Sequence, residues 1–197
     1  MLALKLGLSL VSTPRLGGWS PDDETSLQAW YQNAVGITLN GSDVSAWADS
    51  STNGYNMVQA TATEQPAYSA GVLTFVSADS NNLQTTGQVS LSGDFTLGIV
   101  FNPSISAPGT ILGDNTTSNE FIKYTSTTNF RIKMDGTIAN IPLDSGTFGD
   151  NYIVVTRVSN VLTLYKDGVA QSTTPTLAGT ADIDAIGVRS SDQDFLD

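Results

Sequence analysis

The residues of this chain that could do chemistry are acids, amides and aromatics. Its 197 residues include no cysteine and no histidine. Thiolate chemistry, disulfides and cysteine-based zinc sites are therefore excluded. So are a Ser-His-Asp triad and the usual general base at neutral pH. The glutamates Glu24, Glu64 and Glu120 stand alone, none with a carboxylate two residues on. Asp182 and Asp184 do have the spacing that puts two carboxylates on one face of a strand. Carboxylates are most often simply exposed, so a solvated edge or turn is the expectation for this pair. Asp49, Asn53, Asp79 and Asp114 are oxygen donors in predicted loops. A calcium ion draws about six to eight oxygens from such loops. Asp79 and Asp114 are the candidate calcium ligands, without EF-hand spacing, and no other cofactor is expected.

Sugar sites stack rings on aromatics and bond hydroxyls with Asp and Asn. Trp19, Trp30, Trp47, Tyr55 and Tyr68 are the aromatics to consider. Trp30 and Trp47 occupy alternating apolar positions, so core packing is expected of them. Tyr55 stands in a polar loop with Asn53 and Asp49, and these three form the candidate glycan-binding set. No catalytic residue emerges.

The charge balance bears on partners. The formal net charge is −11 and the eight basic residues are scattered singly. Phosphate backbones and anionic lipid surfaces need clustered Lys and Arg, so neither nucleic acid nor membrane is an expected partner. No apolar run is long enough to span a bilayer as a helix.

The elements that must position these residues are strands. Residues 2–11 read LALKLGLSLV, with Leu2, Leu4, Leu6, Leu8 and Leu10 on one face of a period-2 pattern. Gly and Lys interrupt the run, and no basic leader or small-residue cleavage site flanks it. It therefore reads as a strand, not a secretory signal. Gly17-Gly18 ends this arm, so residues 1–18 are taken as arm and linker and residues 19–197 as the domain. Ser20-Pro21-Asp22-Asp23 has the signature of a helix start, predicting a short helix that leads into a strand near residues 29–31. Strands are then predicted near 44–47, 57–60 and 72–76. The run DFTLGIVF at 94–101 is apolar enough to suggest burial on both faces. The second half is a ladder of hairpins. Strands near 120–124, 130–134, 137–141, 152–158 and 161–165 are joined in part by Asp135-Gly136 and Ser159-Asn160, and Asp167-Gly168 turns the chain again. Strands at this spacing, with no helical period, predict a β-sandwich.

Several of these residues carry a resemblance. Trp30-Tyr31, TLNGSDVSAWAD at 38–49, Asn53-Gly54, Gln59, Pro66, and Val72 with Phe75 follow one another. LTLYKDG at 162–168 and the stretch from Ile186-Gly187-Val188-Arg189 to Asp194-Phe195 complete the pattern. Together they resemble the concanavalin A-like, laminin-G-like domains over roughly residues 25–197. The resemblance implies a two-sheet antiparallel jelly-roll β-sandwich, here with an N-terminal β-strand arm. The family normally continues into one more strand where this sequence stops at Asp197, so the expectation is either a sequence cut short or a missing final strand that leaves its neighbour with a bare edge. Where the family places a glycine and paired acids after Phe75, this chain has VSADSNN, with Asp79 as its one acid. Laminarinase-type members carry alternating carboxylates in a Glu-x-Asp-x-Glu run, which is absent here, so catalysis is not expected.

The N-terminal pattern running into such a domain is similar to virion structural proteins of marine tailed phages. That resemblance implies a virion location and a role as capsid decoration, head fibre or other surface appendage. The partners would be other virion proteins, with several copies or a homo-oligomer on each particle. The leucine face must be buried: at ~1.5–3 kcal/mol per side chain, exposing it would forfeit on the order of 10 kcal/mol. Either it is the first strand of this sandwich, or it joins a sheet of a partner and anchors the chain. The alternative function is a carbohydrate-binding module or adhesin that meets host-surface glycans.

Overall fold

The computed structural model describes residues 20–103, 108–116, 120–190 and 195–196. Leu2, Leu4, Leu6, Leu8, Leu10 and Trp19, and with them the proposed arm, lie outside the described residues.

The strands are β1 (Ile37–Asn40), β2 (Asp43–Trp47), β3 (Met57–Val58), β4 (Ala67–Ser69), β5 (Val72–Thr74), β6 (Leu83–Leu91), β7 (Phe95–Phe101) and β8 (Gly109–Gly113). They continue as β9 (Phe121–Ser126), β10 (Asn129–Met134), β11 (Thr137–Pro142), β12 (Asn151–Val158), β13 (Val161–Lys166), β14 (Val169–Ala170) and β15 (Ala181–Ile186). They form two antiparallel sheets. The larger runs β11-β10-β9-β8-β15-β6-β3-β2-β4-β5, with β1 paired to β2 beside that path, and the smaller runs β14-β13-β12-β7. The protein is an all-β sandwich.

The turns explain much of the ladder. Asp135-Gly136 (φ 43° and 79°), Ser159-Asn160 (49° and 66°) and Asp167-Gly168 (51° and 82°) all sit in the left-handed region. Two-residue hairpins need that geometry to match strand twist, and Gly, Asn and Asp tolerate it best. These turns fix the registers of β10 with β11 and of β12 with β13. Phe130, Ile132 and Met134 of β10 then face Ile153 and Val155 of β12 and Leu162 and Leu164 of β13 within one core. Phe101 of β7 stacks on Tyr124 of β9 with ring centroids 6.1 Å apart, and Phe148 packs against Phe101 at 5.6 Å.

Four expectations need correction. Residues 29–31 are not a strand. The Tyr31 ring instead plugs the core 5.5 Å from Trp47, and its hydroxyl donates to the Tyr55 carbonyl. The Ser20 start yields only a 3-10 turn, Pro21–Asp23, in which Asp23 Oδ2 accepts from the Ser20 N–H. Trp30 is half-buried, whereas Trp47 is fully buried as expected. Finally, β7 is buried on one face only, because the small sheet packs on the large one by a single face, as the alternation in β12 also shows: Ile99 and Phe101 are buried while Thr96 is exposed.

β6, β8 and β15 lie at the centre of the large sheet, and the sequence reading names none of them. β8 carries a glycine at each end, which reads as a turn. In the structure these glycines allow close approach: a Cβ on Gly113 would lie 2.3 Å from the Val188 carbonyl oxygen. β6 and β15 change register between Ile183↔Val89 and Ala185↔Gln84, so no clean alternation marks them.

One inward position of β12 holds a cation. Arg157 is 1% exposed. Its Nε donates to the Gly93 carbonyl, and Nη1 donates to the carbonyl of Gly179 at 2.7 Å and to Met134 Sδ at 3.2 Å. The guanidinium also stacks on Phe95 at 5.0 Å. Gly93 lies where the chain leaves β6 for β7, and Gly179 where it returns from β14 to β15. Arg157 thus ties two of the four crossings between the sheets, β6 to β7 and β14 to β15, to the strand beneath them. Arg157→Ala is expected to lower unfolding free energy by about 3 kcal/mol, because a fully buried side chain leaves a cavity and partly buried carbonyls lose a donor. Urea denaturation measures this, and a change under about 1 kcal/mol would contradict it.

Candidate functional site

Three groups of polar residues could act: the loop 49–56, a buried acidic pair in the large sheet, and the outer face of the small sheet.

The loop is organised by Asp49. Its Oδ1 accepts from the N–H groups of Trp30 and Ser51, both at 2.8 Å, and its Oδ2 from the Ser51 hydroxyl at 2.6 Å and the Tyr55 N–H at 3.0 Å. Burial works to raise its pKa. The bonds from Ser51, Trp30 and Tyr55 outweigh that and hold the carboxyl below its ordinary value. Asn53 is likewise engaged, its Nδ2 donating to the carbonyls of Leu27 and Gln28 at 2.8 and 2.9 Å. Asp49 and Asn53 therefore fix the loop to the segment before β1. Tyr55 is the member with ring surface left over. It is half-exposed and lies against β6, where a Cβ on Gly87 would sit 3.0 Å from Tyr55 Cε1.

The amides near Gln59 are also committed to the fold. Gln59 Nε2 and Gln84 Nε2 both donate to Asn82 Oδ1, Gln65 Nε2 donates to the Gln59 carbonyl, and Asn81 Nδ2 to the Gln65 carbonyl. These bonds join the residue after β3, the segment before β4, the turn before β6 and β6 itself, as buried amides require.

The candidate calcium ligands sit in different environments. Asp79 is exposed on the 3-10 turn Ser77–Asp79, whereas Asp114 is fully buried just after β8. Among the described residues, no three His, Cys, Asp or Glu come together as a group able to hold a metal ion.

Asp114 belongs instead to an arrangement the sequence reading missed. Asp184 is on β15 and 2% exposed, so the expectation of a solvated edge is wrong for it. Asp184 Oδ1 accepts from the Asn115 N–H at 2.7 Å, and Oδ2 from the Thr116 hydroxyl at 2.5 Å. Asp114 Oδ1 accepts from the Thr116 N–H at 3.0 Å and from Gln88 Nε2 at 3.3 Å. Burial first, and the charge of Asp114 next, push the Asp184 carboxyl up. The bonds from Asn115 and Thr116 oppose this without cancelling it. Asp182, the other member of the i, i+2 pair, is half-buried and accepts from the Ser90 hydroxyl. The i, i+2 spacing was the sequence signal; what it lacked was Asp114, which arrives from another strand.

A carboxyl with a raised folded pKa favours its protonated form in the native state. Its contribution to stability is complete below the ordinary Asp range and is lost as pH rises through the raised value. Asp184→Asn is therefore expected to flatten the dependence of stability on pH on the alkaline side of the ordinary Asp range, gaining on wild type as pH rises. Melting temperatures of both proteins from pH 4 to 8, approximately the Asp-to-neutral range, measure this; parallel curves would contradict it.

The outer face of the small sheet is of another kind. Cross-strand neighbours there are Val100 with Tyr152, Thr96 with Thr156, Val154 with Tyr165 and Val158 with Val161. None of these is charged. Tyr152 is 45% and Val158 60% exposed. On a chain of net charge −11, this is a broad, charge-free surface of β-branched and aromatic side chains.

Fold and site define an all-β, two-sheet antiparallel sandwich. No model of a known protein family matches the chain, and no curated protein matches it in sequence.

Proposed function

We propose that the chain is a non-enzymatic structural protein of a phage particle: a capsid decoration, head fibre or other surface appendage. On this reading it is a jelly-roll sandwich of the concanavalin A-like, laminin-G-like kind, located on the virion and attached through the segment bearing Leu2, Leu4, Leu6, Leu8 and Leu10. The observation that carries the assembly reading is the charge-free outer face of the small sheet, with Tyr152, Val158 and Val161 exposed upon it. Exposed apolar surface of this kind marks a protein–protein contact. The acids that might have done chemistry serve structural roles: Asp49 organises a loop, and Asp114 and Asp184 close the end of β8 onto β15.

Mass spectrometry of purified particles is expected to find the chain in stoichiometric amounts, and to find it lost from particles when residues 1–16 are removed from a variant that still folds. A chain present only as a free secreted protein would overturn the reading.

The second reading is a glycan-binding module, favoured by the half-exposed ring of Tyr55 beside a loop held rigid by Asp49 and Asn53. A glycan array is expected to show binding that Tyr55→Ala abolishes in a variant that circular dichroism shows to keep the β fold. Absence of saturable binding would remove this reading and leave the first.

A further inference from the structure

The small sheet ends at β7, and among the described residues no strand pairs with its outer edge. Such an edge offers a row of backbone donors and acceptors to any strand that can align with it. Among the described residues the other edge strands are shorter, β1 with four residues and β11 with six included. β14 has two residues, β5 has three, and β11 ends in Pro142. β7 has seven, FTLGIVF, with no charge, no proline and no change of register against β12. At ~3.3 Å per residue that is an open edge of roughly 23 Å.

The sequence of this edge is nearly its own mirror. About Gly98 it places Leu97 against Ile99, Thr96 against Val100, and Phe95 against Phe101. Two copies of β7 laid antiparallel about a two-fold axis at Gly98 would pair these residues with one another. The inward-facing set, Phe95, Leu97, Ile99 and Phe101, would meet itself, and the β-branched outward residues would meet each other. Phe95 and Leu97 point toward the core yet remain only partly buried at this edge. A neighbouring strand would cover them.

Charge favours the same partner. A chain of net charge −11 repels its own copies over most of its surface. Along β7 there is no charge to repel, and in this register Asp94 falls opposite the neutral Asn102 of the second copy. Between residues 95 and 101 no charges are opposed across the joint; at its ends Asp94 meets an Asn102 whose amide donates to Asp150.

We propose that β7 is a dimerisation edge, through which two copies of this chain join their four-stranded sheets into one continuous sheet about a two-fold axis at Gly98. Such a contact is isologous, so it closes on itself and stops at two copies. The inference rests on the assembly reading given above and adds the surface and the partner. The two fail separately: a monomeric chain that still enters particles would overturn the dimer and leave the assembly reading in place.

The register makes the test specific. Sedimentation velocity of the full chain over a concentration series is expected to show a dimer. Because residue 96 of one copy faces residue 100 of the other, T96K/V100K sets lysine against lysine twice and is expected to give a monomer. T96K/V100E sets lysine against glutamate twice and is expected to restore the dimer. Both positions face outward, and circular dichroism confirms that each variant keeps the β fold. Since the chain has no cysteine, Gly98→Cys is expected to form a disulfide-linked dimer on mild oxidation, while Val169→Cys on β14 does not. A wild-type chain that stays monomeric at its highest soluble concentration would overturn the proposal. So would a T96K/V100K variant that still dimerises, or a T96K/V100E variant no more dimeric than T96K/V100K. A full chain that is monomeric but dimerises once residues 1–16 are removed would also overturn it, because the leucine segment would then be the occupant of the edge.

Discussion

The fold depends on a cation placed where the two sheets close. Arg157 sits at an inward position of β12, surrounded by carbonyls and the Phe95 ring. A buried charge is costly unless hydrogen bonds satisfy it. Here the acceptors are backbone carbonyls at the β6–β7 and β14–β15 crossings, the places where the chain moves between layers. The bonds therefore do more than satisfy the guanidinium. They set how the small sheet lies on the large one, and Asp94 beside the crossing adds a favourable charge. The aromatic layer of Phe101, Tyr124, Phe130 and Phe148 fills the space that this closure defines.

Once the sandwich is closed, the polar groups divide into two kinds. One kind is engaged with the fold: Asp49 with three N–H groups, Asn53 with two carbonyls, and the amides around Asn82 with one another. Asp184 and Asp114 hold the end of β8 to β15 at the expense of an electrostatic conflict between two buried carboxyls. The outer face of the small sheet has no such duties. Its side chains are short, β-branched or aromatic, and uncharged. That division turns attention from chemistry within the domain to contacts made by its surface.

The parts of the fold legible in the sequence were those governed by local rules. Asp135-Gly136, Ser159-Asn160 and Asp167-Gly168 announce hairpins because left-handed backbone is demanded there, and the strands between them alternate cleanly. What escaped was decided at long range. β8 is bracketed by glycines that allow close packing, Gly109 against Tyr124 and Leu196 and Gly113 against Val188 and Arg189, and β6 meets β15 across a register change. The site residues behaved alike. Asp49 and Asn53 were visible as loop residues, but their partners at Trp30, Leu27 and Gln28 were not. Arg157 fell on an inward position in a run read simply as a strand, and nothing nearby in sequence shows what it binds. Asp184 was visible as half of an i, i+2 pair, whereas Asp114 reaches it only through the topology of the large sheet.

The central claim is that this protein acts through the small sheet, at the β7 edge and its charge-free face. Hydrogen–deuterium exchange of the full chain, compared between dilute and concentrated solution, tests it most directly. The account predicts that amides of Phe95–Phe101 slow with concentration while those of the loop 49–56 do not change. Exchange at β7 that is indifferent to concentration, or slowing confined to the loop, would contradict it.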